Sequence, residues 1–368
     1  AMENGLTLST LVNDAPITKW QQNMVWRPAN SPEVYNGPTR VRRGLAESKN
    51  VMAVRVMRTL GVTNTVDYLT RFGFAKDELP KNESISLGSA ALTPLSVVTG
   101  MSTLANGGYL VDSRVIERIE AANGDVIYQA TKTVAGLDSA ESSKPNTESN
   151  DNSDLEGMGA RTTNETIEYP PFSLPAPRVV PKNIAFLMTD ALNSTIWGGG
   201  TWSKGNGWNG TAWRAQSLKR RDFSGKTGTT NDAVDTWFSG FNKHIVATTW
   251  VGFDAPGRPL GRTSKNANLA DSQQVSGAEA GAVTALPGWI DFIGRIANDI
   301  PRSFVEIPEG VISVRIDRKT GLVSRKTDHS TRWEYFIKGT EPTKYADEYT
   351  PVAIDEEKDM IEEEEGLF

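Results

Sequence analysis

Three runs with strand character, 222–230, 235–241 and 245–253, follow one another with connections of three or four residues. Parallel neighbours need a crossover of roughly a dozen residues or more, so these three can pair only as an antiparallel meander. Helical patterns precede and follow them. Thr93-Pro94 supplies an N-cap and a first-turn proline. Leu95, Val97, Val98, Met101, Leu104 and Ala105 then mark an apolar face that Asn106-Gly107-Gly108 ends. A helix over about 51–60 confines its polar residues Arg55, Arg58 and Thr59 to one stripe, the pattern of a mostly buried helix. Further helices are expected over about 183–192 and 286–298, the latter with Trp289, Ile293 and Ile296 on one face. A hairpin over 115–121 and 126–129 turns at Asn123-Gly124. Helices before and after such a sheet predict an α+β layered domain.

The first strand of the meander carries the chemistry, Ser224-Gly225-Lys226-Thr227-Gly228-Thr229-Thr230. Gly-Lys-Thr could close a phosphate-binding loop, but that motif needs glycine at position 220, where Arg220 stands, and it must open a helix. The competing reading is the Lys-Thr-Gly strand of a serine acyl-transfer site. A lysine there places positive charge near a substrate carboxylate. Thr227 and Thr229, at alternate strand positions, face the same side and can hydrogen-bond that carboxylate. Gly228 between them leaves the neighbouring backbone uncrowded. Ser48-Lys49-Asn50 precedes Lys226 by 178 residues. Alone, Ser48 ahead of a helix reads as an N-cap; in this order and spacing the segment also suits a second element of the same site.

Composition narrows the alternatives. With 368 residues the chain makes one large domain or two ordinary ones. No apolar run approaches the roughly 20 residues of a membrane span. Without cysteine there is no thiol nucleophile or thiolate metal site, and His244 and His329 are too few for an imidazole zinc centre. Net charge is −6, but eight acids and one lysine between Asp355 and Phe368 carry −7, so the rest of the chain holds +1. That lacks the basic excess of a nucleic-acid binder, and the acidic run reads as a solvated tail. Residues 139–168, rich in Ser, Asn, Glu and Thr, read as a polar surface insertion. The remainder divides into 1–300, which holds the site elements, and a C-terminal extension over 301–368. In the extension, Ile312, Val314 and Ile316 alternate with polar residues as in a half-buried strand.

Five segments together resemble the transpeptidase domain of class A penicillin-binding proteins, nearest to those of Gram-negative bacteria. They are 1–7 (Ala-Met-Glu-Asn-Gly-Leu-Thr), Ser48-Lys49-Asn50, Leu87-Gly88-Ser89-Ala90 with Thr93-Pro94, Ala105-Asn106-Gly107-Gly108, and Lys226-Thr227-Gly228-Thr229-Thr230-Asn231. The resemblance covers about 1–340. It implies the fold shared by penicillin-binding transpeptidases and serine β-lactamases: a five-stranded antiparallel sheet flanked by helices, with an all-helical lobe and the active site between. It also implies D,D-transpeptidation of peptidoglycan. A serine attacks the D-Ala-D-Ala stem, D-Ala leaves, and an amine of a neighbouring stem takes the acyl group; β-lactams acylate the same serine. Catalytic roles carry over to Ser48, Asn50 and Lys226, and substrate binding to Thr227, Gly228 and Thr229, with no cofactor or metal. Ser48 would relay protons, Asn50 would orient the substrate amide, and Lys49 would point to solvent. The family's Ser-x-x-Lys nucleophile motif does not occur in these 368 residues; the resemblance puts it about ten residues before Ala1, outside this chain. Implied partners are stem peptides, lipid II-derived glycan strands and β-lactams, at the periplasmic face of the inner membrane. The anchor and the glycosyltransferase domain would also lie outside this chain.

Rivals are weaker. His244 falls in a turn between strands, His329 lies in the extension, and no Gly-x-Ser-x-Gly elbow accompanies either, which disfavours a Ser-His-Asp triad. The Glu-x-x-Leu-Asn segment of class A β-lactamases is absent, which favours an acyl-enzyme that waits for an amine. A D,D-carboxypeptidase and a non-catalytic sensor or scaffold binding wall peptide or β-lactam remain alternatives. Trp197, Trp202, Trp208 and Trp213 either pin a long loop or line a glycan or peptide groove.

Overall fold

The computed structural model describes residues 1–21, 24–136, 173–255, 257–264, 268 and 277–348. The polar insertion at 139–168 and the acidic tail from Asp355 lie outside the described residues. Six α-helices order these residues: α1 (Val41–Ala46), α2 (Asn50–Leu60), α3 (Val62–Leu69), α4 (Pro94–Ala105), α5 (Lys182–Trp197) and α6 (Ala285–Ile296). The expected helices are present, the third extended by a turn and more to Trp197, whereas α1 has no apolar period and was not anticipated. Thr93 caps α4 as its sequence requires, accepting a hydrogen bond from the Ser96 N–H at 3.1 Å.

The meander forms as expected, with strands Ser224–Thr229, Asp235–Phe241 and Val246–Gly252 antiparallel in sequence order. Lys226 pairs with Ser239, Thr227 with Phe238 and Gly228 with Trp237. The central sheet has three strands among the described residues, not the expected five. The other described strands are engaged in separate two-stranded ribbons, among them Leu11–Asp14 with Gly37–Arg40 and Val311–Asp317 with Thr331–Ile337, so they lend neither edge of the meander a partner. The Asn123-Gly124 hairpin is present, but its strands are Arg118–Glu120 and Val126–Gln129, shorter than 115–121 on the first side.

The main core lies between the meander and α6. Trp289, fully buried, meets Phe223 and Phe238 edge-on at 5.3 and 5.0 Å between ring centres. Gly240 is obligatory there, because a Cβ would come within 2.5 Å of the indole. Helix α5 packs along the Lys226 strand, held by Ser224 Oγ donating to the Thr189 carbonyl and Thr195 Oγ1 donating to the Gly225 carbonyl, both at 2.8 Å. A helical lobe gathers around Val66, Leu79 and Ile85. The C-terminal hairpin docks by Tyr335 and Ile337 against Leu8, Phe186 and Leu187.

Candidate active site

Ser48 sits where α1 ends. Its N–H bonds the Leu45 carbonyl at 3.2 Å and the Lys49 N–H bonds that of Gly44 at 2.8 Å, the paired pattern of a Schellman C-terminus. That motif places its C′ residue in the left-handed region, ordinarily as glycine; here a serine adopts φ 56°. A non-glycine residue so placed costs on the order of 1–3 kcal/mol. The N-cap reading of Ser48 is therefore corrected. Lys49 occupies the cap of α2, with no side-chain cap bond, and the Ser48 hydroxyl is turned elsewhere.

It is turned to Lys226. The Lys226 Nζ donates to Ser48 Oγ at 2.8 Å and to the Thr227 carbonyl at 2.9 Å. No carboxylate pairs with this ammonium among the described residues, and desolvation by burial pushes it down to about 8. A largely desolvated cation with no carboxylate partner is suited to an anionic ligand.

Thr227 and Thr229 flank this cation. The Thr227 hydroxyl meets that of Thr211 at 2.7 Å, and the Thr211 N–H donates to the Ala46 carbonyl at 3.0 Å, which ties the strand to the end of α1. Thr229 Oγ1 accepts the Gly281 N–H at 2.9 Å. Thr229 therefore keeps its hydroxyl proton for a ligand, while either hydroxyl of the Thr211–Thr227 pair can be the donor. The clearance at Gly228 is used twice. Trp237 packs opposite, where a Cβ on residue 228 would stand at 3.1 Å, and Gly281 lies so close that its own Cβ would strike the Gly228 carbonyl oxygen at 2.4 Å.

Asn50 opens α2, its Nδ2 donating to the Ala29 carbonyl at 2.7 Å. The structure joins Ser48 with Lys226 directly and does not hydrogen-bond Asn50 to either. Lys49, expected in solvent, is instead half-buried, donating to the Val34 carbonyl at 2.9 Å and paired with Asp14 at 3.2 Å. Its neighbours Val34 and Asp14 are distant in sequence, so no local pattern marked it. Thr211, Gly281 and Thr195 were also missed, since each acts through contacts that no sequence period encodes. His244 and His329 lie exposed in turns. Trp208 is buried and pins its loop, Trp197 is half-buried, and Trp202 and Trp213 are 67% and 45% exposed. Among the described residues no cluster of three or more His, Cys, Asp or Glu could hold a metal ion.

Comparison with known proteins gives consistent results. Residues 1–166 match the penicillin binding protein transpeptidase domain, and 307–351 match the C-terminal domain of penicillin-binding protein 1A. The chain is 47% identical over 356 residues to penicillin-binding protein 1A of Vibrio cholerae, covering 96% of this chain and 41% of that protein. It is 39% identical over 370 residues to penicillin-binding protein 1A of Escherichia coli, covering 94% and 42%. The chain thus spans about two fifths of these relatives' length. Its fold is similar to the crystal structure of penicillin-binding protein 1A from Haemophilus influenzae, with a TM-score of 0.74 and 37% identity over 94% of this chain and 47% of that one. A mycobacterial penicillin-binding protein, PonA1, shares the fold at a TM-score of 0.56 and 18% identity, covering 88% and 70%.

Proposed function

This chain belongs to the class A penicillin-binding proteins, and on that premise we propose that it supplies the substrate-binding and proton-handling part of a peptidoglycan D,D-transpeptidase. The observation that carries the reading is the Lys226–Ser48 contact at 2.8 Å, made by a serine held at φ 56° where glycine would be unstrained. A binding scaffold has no need of that cost, and the sensor alternative is not favoured.

The nucleophile is assigned to a Ser-x-x-Lys that these 368 residues do not contain. When its hydroxyl attacks the penultimate D-Ala carbonyl, giving its proton to the lysine of that motif, the C–N bond breaks and the departing D-Ala amine must gain a proton. Ser48 Oγ passes it and Lys226, hydrogen-bonded to Ser48 at 2.8 Å, replenishes it. Lys226, Thr227 and Thr229 bind the stem's terminal carboxylate, with Gly228 leaving room along the strand. Asn50, its amide nitrogen held by Ala29, turns its oxygen to the substrate amide. In the second half, a neighbouring stem's amine attacks the acyl-enzyme and gives its proton back through Ser48. Bound amine has an orientation advantage that water lacks, so transfer outruns hydrolysis. β-Lactams enter by the same carboxylate contacts. We place this work on the extracytoplasmic, periplasmic face, on stem peptides of lipid II-derived glycan strands. Attachment and glycosyl transfer lie in other parts of the full protein; among the described residues no helix is long and apolar enough to cross a membrane. Residues 1–300 form the transpeptidase unit and 301–368 its C-terminal extension.

The test is acylation by a labelled penicillin. The chain printed here gains no mass, whereas the full-length protein is acylated. In the full-length protein Lys226→Ala and Thr229→Val slow acylation about 10- to 150-fold, the worth of a hydrogen bond to a charged group. Unchanged rates in both variants would remove this strand from the site.

A further inference from the structure

Ser48 holds a strained conformation, and strain of this kind persists only where surrounding contacts over-determine it. On the side away from Lys226 and α1, those contacts come from one segment. The three residues after Ser48 are each tied to the segment 29–36. Lys49 Nζ donates to the Val34 carbonyl at 2.9 Å, Asn50 Nδ2 to the Ala29 carbonyl at 2.7 Å, and the Val51 N–H to Asn30 Oδ1 at 3.3 Å. The segment in turn hangs on one side chain. Asp14, fully buried at the end of its strand, accepts from Asn30 Nδ2 at 2.6 Å through Oδ1. Through Oδ2 it accepts from the Asn36 N–H at 3.0 Å and Asn36 Nδ2 at 3.1 Å, and it pairs there with Lys49 at 3.2 Å.

We propose that Asp14, acting through Lys49 and the 29–36 segment, is the positioning residue that holds Ser48 in its left-handed conformation with its hydroxyl on Lys226. The proposal rests on the transpeptidase reading of Ser48. Asp14 touches neither Ser48 nor Lys226 and takes no part in bond making. Its charge keeps the Lys49 ammonium in place, and Lys49 is the residue whose N–H closes the Schellman turn on Gly44. Among the described residues the only other carboxylate near Lys49 Nζ is Glu47, at 4.0 Å, so Asp14 is its principal counter-charge. Neutralising Asp14 leaves the half-buried Lys49 ammonium without its counter-charge; it withdraws, and the turn relaxes toward an unstrained φ that carries the hydroxyl off Lys226.

A double-mutant cycle in the full-length protein tests this, read as the second-order rate of acylation by a fluorescent penicillin. Asp14→Asn slows acylation about tenfold or more. In the Ser48→Ala background, where no hydroxyl remains to be aimed, Asp14→Asn has no further effect. Equal losses in both backgrounds would make Asp14 a general structural support and overturn the proposal, as would an unaffected Asp14→Asn. A Ser48→Ala protein that reacts at the parent rate would refute the site reading itself, and the clamp with it. Lys49→Gln repeats the cycle from the other side of the pair and is expected to match. If neither Asp14→Asn nor Lys49→Gln folds, the pair is a folding determinant and the positioning role is rejected.

Discussion

Lys226 carries a charge that folding must desolvate, and this costs the folded state stability. Its ordinary value is 10.5 and its folded value about 8. Between those two limits the unfolded chain holds the proton more tightly than the folded one, so stability rises with pH. The penalty is complete below pH 8 and gone above 10.5. Lys226→Met is therefore more stable than the parent at pH 7, and the gap closes as pH rises from 8 to 10.5. Urea unfolding of both proteins across that range measures it; a gap independent of pH would mean that the ammonium is not desolvated.

At the scale of elements, the Lys226 strand owes its place to α6. Trp289 fills the space between that helix and the meander, and the Phe238 it contacts is the cross-strand partner of Thr227. Removing it leaves a large cavity in a close-packed core. Trp289→Ala is expected to cost about 3–5 kcal/mol. Trp289→Phe costs less, because the buried indole N–H has no hydrogen-bond partner and its desolvation cost leaves with it. Thermal and urea unfolding distinguish the two. A phenylalanine variant as damaged as the alanine one would show that the indole, not the filled volume, is what the sheet requires.

Across the whole molecule, a buried ionic cluster joins the C-terminal hairpin to the helix that ends at Ser48. Glu334, fully buried, accepts from Arg42 Nε at 3.0 Å and from Arg40 Nη1 at 3.4 Å, while Arg42 also reaches Asp190 of α5. Burial alone would raise the Glu334 carboxyl, but the charges of Arg42 and Arg332 outweigh it and hold the group below the usual carboxylate range. Glu334→Gln leaves Arg42 with a broken pair and is expected to destabilise by about 3–5 kcal/mol at pH 7. With the folded value lowered, the stabilisation is present above the ordinary value of 4.5 and is lost as pH falls below it. Parent and variant stabilities should thus converge in acid. A difference that stays constant down to the pH at which both unfold would show that the Glu334 charge does not hold the hairpin.

What the sequence determined by itself was whatever repeats or terminates locally: the antiparallel meander, the Thr93-capped helix, the Asn123-Gly124 turn, and the Lys226 and Ser48 segments as chemical elements. These follow from period, capping and residue type, which act over a few neighbouring positions. The tertiary structure alone decided what lies opposite them. Helix α1 has six residues and no apolar period, and its Arg42 is held by Glu334, 292 positions away. The left-handed turn at Ser48 could not be read from a serine, since propensity argues for glycine there. Lys49 looked like a solvent residue until Asp14 arrived from another strand. Thr211 and Gly281 reach Thr227 and Thr229 by the same long-range route, and the sheet shows three strands among the described residues where the resemblance implied five. A contact between distant segments is stabilised by burial and charge pairing that exist only after the chain has closed, so no local pattern can announce it.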